Sequence, residues 1–114
     1  MSSIAWTRKR TRRDPQALAI EMAAGGAPEG TVIQGGTVTR DVLRFSVVLR
    51  PRSGLQLGLL ALIATFCASE GIRKDTGIIT WIRWPDEIVA RVGVVATTSV
   101  VLGGAKDAPW AVLN

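Results

Sequence analysis

Ile78-Ile79-Thr80-Trp81-Ile82-Arg83-Trp84-Pro85-Asp86-Glu87 decides how the rest of this chain is read. Its β-branched and aromatic start predicts a strand. Pro85 ends that strand, because proline has no N–H to give to a sheet ladder. Arg83 stands between two tryptophans just before the break, and two carboxylates follow it. A cation and an acid pair held at a rigid strand end suit a ligand site, with Arg83, Trp84, Asp86 and Glu87 as its candidates. They also suit a plain turn, with the tryptophans in the core and the acids in water. By residue type alone the plain turn is the expectation.

Working outward, composition bounds the alternatives. A chain of 114 residues, 47% of them apolar, is expected to fold as one domain with a single core. Cys67, the one cysteine, lies in an apolar run and reads as a small buried hydrophobe. No disulfide can form within the chain, which fits a cytoplasmic setting. With no histidine, a His-based triad or zinc site is excluded, and no metal site is expected. The basic start carries no apolar segment of a secretory signal. The apolar run 55–68 includes Gln56 and Thr65 and falls short of the ~20 residues needed to span a bilayer. It predicts a buried helix and no membrane association.

The charge is localised. Of 14 lysines and arginines, Arg8, Lys9, Arg10, Arg12 and Arg13 account for the whole net charge of +5; the other nine balance nine acids. A basic arm over residues 1–13 can hold phosphate backbones or anionic lipid with salt-sensitive affinity, or simply be a solvated terminus. Two phenylalanines and no tyrosine offer no aromatic-rich strand face for base stacking, which counts against nucleic acid.

Upstream of the central stretch, Asp14-Pro15 predicts a helix N-cap followed by proline at the first helical position. Ala17, Ile20 and Ala24 would lie along one face of this helix, and Gly25-Gly26 would close it. Thr31-Val32-Ile33 predicts a short strand. Residues 42–49 alternate most cleanly, with Leu43, Phe45, Val47 and Leu49 on one face and Arg44 and Ser46 on the other. The apolar helix follows, expected to end near Arg73. Downstream, residues 88–96 predict a hairpin around Arg91, and residues 99–102 and 110–113 further strands, with a connection at 103–109. The order implies an α+β domain over residues 14–114, its helices packed on one face of a largely antiparallel, mixed sheet.

Five segments in this order resemble the catalytic domain of biotin protein ligases, within the biotin and lipoate ligase superfamily. They are Gly26-Ala27-Pro28-Glu29-Gly30-Thr31-Val32, Phe45-Ser46-Val47-Val48-Leu49-Arg50-Pro51, the apolar helix, Arg83-Trp84-Pro85-Asp86-Glu87 in place of Lys-Trp-Pro-Asn-Asp, and Val92-Gly93-Val94-Val95 at the glycine hairpin. The likeness covers residues 14–102. It implies that fold, and a chemistry in which biotin and ATP (with Mg) form an acyl-adenylate that is passed to a lysine of a carrier protein. Arg83 would face the acyl carboxylate in place of the family lysine. Trp84, Asp86, Glu87, Gly93 and Ser46 would line the binding site.

The departures fall on that chemistry. Asp14-Pro15-Gln16 replaces Ser-Thr-Asn, and the glycine- and arginine-rich nucleotide loop between Val32 and Val42 is shortened. Arg83 keeps a charge without the compact ammonium, and the family's small C-terminal domain is expected to be absent. Acyl-phosphate chemistry needs cations around its phosphates. The expectation is therefore a ligase-like domain without adenylation of its own, serving as a binding or assembly subunit. A minimal or split biotin or lipoate ligase completed by a partner chain is the alternative, and a nucleic-acid binder using residues 8–13 the second. A homodimer through the sheet edges at 92–96 and 99–102 is expected.

Overall fold

The computed structural model describes residues 5–35, 42–52, 59–105 and 108–114. Of the loop or hairpin connection expected over residues 34–40, Gln34 and Gly35 are strand instead and the rest lies outside the described residues. The domain expected over 14–114 divides by its contacts into two compact units, Met1–Leu57 with Val100–Asn114, and Gly58–Ser99.

The first unit holds strands β1 (Thr7–Thr11), β2 (Thr31–Gly35), β3 (Phe45–Leu49), β7 (Val100–Ala105) and β8 (Ala108–Leu113), with helix α1 (Pro15–Ala24). The strand order is β1-β2-β3-β8-β7, and every pair but β1–β2 is antiparallel. Parallel neighbours need a crossover, and α1 supplies it between β1 and β2. Asp14 caps α1 as its sequence predicts: its Oδ2 accepts the Ala17 N–H at 3.3 Å, and Pro15 opens the helix. At the other end Gly26 takes φ +94°, which a side chain would resist.

The face that α1 buries differs from the expected one. Pro15, Ala19 and Ala23 are buried, while Ala17 and Ala24 are exposed. Alanines four apart let the helix lie close on the sheet, where Ala19 and Ala23 pack with Ile33, Val48 and Val112. In β3 the alternation is real but its faces are reversed: Ser46 and Val48 are buried under α1, and Phe45 is exposed. Both faces of β3 bear apolar residues, so periodicity alone left the choice open.

Residues 7–11, expected within a basic arm, are an edge strand, hydrogen-bonded to β2 in the register Arg8↔Val32 and Arg10↔Gln34. No apolar alternation announces it; its cations stand in water on both faces. The connection expected at 103–109 is in its described part strand, Gly103-Gly104-Ala105 ending β7 and Ala108-Pro109 starting β8. The Trp110 ring lies where a Cβ at Gly103 would stand, so only glycine lets the two strands meet there.

Arg50 ties this unit together. Its Nε and Nη2 donate to the Ala27 carbonyl at 2.8 and 2.6 Å, Nη2 also donates to the Ala23 carbonyl at 2.8 Å, and its backbone N–H donates to Glu29 Oε2 at 2.7 Å.

The second unit is helix α2 (Leu60–Thr76) against the antiparallel meander β4 (Trp81–Arg83), β5 (Glu87–Ala90) and β6 (Gly93–Thr97). The predicted hairpin around Arg91 is present as β5 and β6. The buried apolar helix is not: Thr65 and Ser69 are its buried residues, while Leu62, Ile63, Phe66 and Cys67 are exposed. α2 also runs past Arg73 to Thr76, where Gly77 ends it in the left-handed conformation at φ +75°. Tryptophans 81 and 84, expected in the core, are 57% and 54% exposed.

Arg50→Ala leaves the Ala27 carbonyl without its guanidinium donors, while the Ala23 carbonyl keeps the Gly26 N–H at 3.2 Å, and is expected to cost about 1–3 kcal/mol in urea denaturation. Arg50→Lys recovers only part of it, because an ammonium cannot reproduce the planar fork.

Candidate functional site

Antiparallel pairing of β4 and β5 brings the sequence-predicted residues together. Arg83 stands opposite Glu87, and Trp81 opposite Val89. Paired residues share a face, so Trp81, Arg83, Glu87 and Val89 form one surface of the small sheet. Ile82 and Ile88 point to the opposite side, where Ile88 is fully buried and α2 packs. Arg83 Nη1 lies 3.4 Å from Glu87 Oε1, with side-chain exposures of 63% and 33%. At that exposure the pair contributes little stability, but it sets the guanidinium against a carboxylate that competes with any incoming anion.

Between the two strands Trp84-Pro85-Asp86 forms the turn, with a cis Trp84–Pro85 peptide. The turn is pinned from beneath by hydroxyls. Thr65 Oγ1 on α2 lies 2.7 Å from the Pro85 carbonyl and 2.6 Å from Thr98 Oγ1. One proton per hydroxyl suffices when Thr98 donates to Thr65 and Thr65 donates to Pro85. The Thr98 N–H in turn donates to the Asp86 carbonyl at 3.0 Å. Further along α2, Ser69 Oγ meets Thr80 Oγ1 at 2.7 Å, both side chains buried. Sequence reasoning did not single out Thr65, Ser69, Thr80 or Thr98. Hydroxyls four apart in an otherwise apolar helix were the available signal, since a buried hydroxyl must find a partner.

Gly93, the start of β6, pairs with Ala90 and takes φ +122°. Its left-handed conformation explains the glycine as a turn requirement. Ser46 belongs to the first unit, where it is fully buried and donates to Asn114 Oδ1 at 2.7 Å. Its hydroxyl is committed to structure. The basic candidates also lie in the first unit: Arg8, Lys9 and Arg10 on β1, Arg12 in the bend after it, and Arg13 paired with Glu21 at 2.7 Å. Asp14 is paired with Arg44 at 3.0 Å.

Among the described residues no three His, Cys, Asp or Glu side chains gather as a metal site, and no helix is long and apolar enough to cross a membrane. An open cleft of about 570 Å³ at the C-terminal end of α2 is bordered by Arg73, Lys74, Ile78 and Ile79, none of them a predicted site residue.

No protein-family model matches the sequence, and a comparison with curated proteins finds no match. Solved structures do match. A biotin protein ligase-like protein of unknown function from Silicibacter sp. TM1040 superposes with a TM-score of 0.76 at 19% identity, over 97% of this chain and 53% of that one. The fold is biotin protein ligase-like. Biotin protein ligase from Aquifex aeolicus superposes at 0.65 and 20% identity, over 93% of this chain and 48% of that one. The biotin acetyl coenzyme A carboxylase synthetase of Helicobacter pylori, solved with bound biotinylated ATP, gives 0.56 and 16%, over 96% and 60%. The chain thus spans about half the length of the ligase-like structures it matches.

Thr65→Val keeps the shape of the side chain and removes the hydroxyl beneath the turn. It is expected to cost about 1–3 kcal/mol in chemical denaturation. Hydrogen exchange at the Thr98 amide would speed up beyond the change at Ala90 if the turn is what loosens.

Proposed function

We propose that this chain is a biotin protein ligase-like domain that forms no acyl-adenylate by itself and works as a binding or assembly subunit. The observation that carries this reading is the state of α2. In a fold built around its helices, Leu62, Ile63 and Phe66 stand about half exposed while hydroxyls occupy the buried stripe. A monomer leaves such a surface in water at a cost, and a partner removes it. The ligand side supports the same reading. Arg83 is engaged by Glu87 on an open surface, whereas stabilising a charged phosphoryl transition state requires donors in a water-excluded site. A homodimer is part of this proposal, with β6 and β7 as outer strands of their sheets available for pairing.

A split ligase completed by a separate chain is the second reading. It is favoured by the convergence of Arg83, Glu87 and Trp81 on one face, next to the turn that carries Trp84 and Asp86. There, Arg83 would meet the acyl carboxylate, and Asp86 or Glu87 a ribose or Mg. A biotin carrier protein would be the acceptor.

Calorimetry with biotin, lipoate, ATP and biotinyl-adenylate, together with a pyrophosphate-release assay, separates these readings. The subunit reading expects no pyrophosphate from biotin and ATP, and turnover by the purified chain alone would overturn it. Micromolar binding of biotinyl-adenylate that weakens tenfold or more in Arg83→Ala would favour the split ligase. Sedimentation velocity is expected to show a dimer, and Val94→Lys on β6 to shift it to monomer.

A further inference from the structure

The five cations that hold the net charge find a place in the first unit that their sequence does not suggest. β1 is an outer strand, and its register sets whole rows across the sheet. Arg8 shares a row with Val32 and Val47, and Arg10 shares one with Gln34 and Phe45. These rows lie on the face opposite α1, since Ile33 and Val48 fill the other. Residues two apart on a strand stand about 6.6 Å from one another, so the two guanidinium groups form a short basic line along the sheet edge. Aromatic groups flank that line. Phe45 is 45% exposed at the end of the Arg10 row, and Trp6, 64% exposed, immediately precedes β1. The Gln34 side chain forms no hydrogen bond among the described residues.

Charge balance within this unit sharpens the point. Asp14 pairs with Arg44, Glu21 pairs with Arg13, and Glu29 accepts the Arg50 N–H. Arg8, Lys9, Arg10 and Arg12 have no acidic partner among the described residues. Such cations on an edge strand also deter sheet-to-sheet aggregation, but that role needs no exposed aromatic rings beside them.

From this arrangement we infer that the α1-free face at the β1 edge binds single-stranded nucleic acid. Phosphates lie along Arg8 and Arg10, with Lys9 and Arg12 adding charge at the rim. Unstacked bases rest on Phe45 and Trp6, and the Gln34 amide meets a base edge. A paired duplex hides its base faces, so the aromatic groups favour a single strand. This surface lies in a different unit from the Arg83–Glu87 face and acts independently of the reading given above.

Fluorescence anisotropy of the full chain with labelled oligo(dT) of about 12 nucleotides tests the inference. Binding should weaken as salt rises, with log K falling against log salt at a slope of about −3 for four phosphate contacts. The double variant Arg8→Thr/Arg10→Thr keeps strand-forming residues and should lose tenfold or more in affinity, with a shallower slope. Arg8→Lys/Arg10→Lys should retain most of it. Trp6→Ala and Phe45→Leu should each weaken binding about fivefold or more with the salt slope unchanged. Lack of binding at low salt would overturn the inference. So would equal affinity for duplex and single strand that ignores Trp6→Ala. Binding to anionic vesicles in preference to the oligonucleotide would reassign the surface to lipid.

Discussion

Arg50 holds the larger unit in register. One side chain satisfies carbonyls at the C-terminal end of α1 and in the turn that follows, while its own N–H is held by Glu29 from that turn. A helix end leaves carbonyls without partners, and a half-buried guanidinium needs acceptors; each requirement meets the other. The link joins helix, turn and the end of β3 at one point. The Gly26 and Gly30 conformations, at φ +94° and +90°, bend the chain so that Glu29 reaches Arg50. Two of the segments that resemble biotin protein ligases are therefore accounted for by this one structural link, with no ligand required.

The smaller unit is organised on the opposite principle. Its helix spends hydroxyls on the inside and leaves apolar side chains outside. Thr65 and Ser69 meet Thr98, Thr80 and the Pro85 carbonyl, all satisfied within the unit. A polar seam of this kind gives direction where apolar contact gives little, because hydrogen bonds are lost if the helix rotates. It holds the turn between β4 and β5 rigidly enough to present Arg83 and the two tryptophans. The apolar side of α2 and one face of the small sheet are left exposed. Within this unit Arg83 is paired with Glu87, and Arg73 with Glu70.

Much of the local structure was legible. Asp14 and Pro15 announce a helix start, the glycine-containing turns appear where expected, and the strand that Pro85 terminates pairs back through Glu87. The grouping of Arg83, Trp84, Asp86 and Glu87 followed from the same turn. Less legible was anything that depended on a partner element. Ser46 looked like a site residue from its place in a family segment, yet its hydroxyl serves Asn114, far along the chain. The tryptophans looked like core because they are large and apolar, yet the small sheet has a helix on one side only. Thr65 looked like a blemish in an apolar run and proved to be the support of the candidate site.

What the sequence by itself determined is the set of local conformations: caps, turns, the strand period and a fold of the biotin protein ligase-like kind. Those depend on short-range sterics and on hydrogen bonds between near neighbours. Tertiary structure alone decided which side of each element was buried. It reversed the faces of β3, turned α2 so that hydroxyls face in, and drew Arg8 and Arg10 from an expected arm into a sheet edge. Periodicity says that two faces differ, but only packing chooses between them when both carry apolar residues.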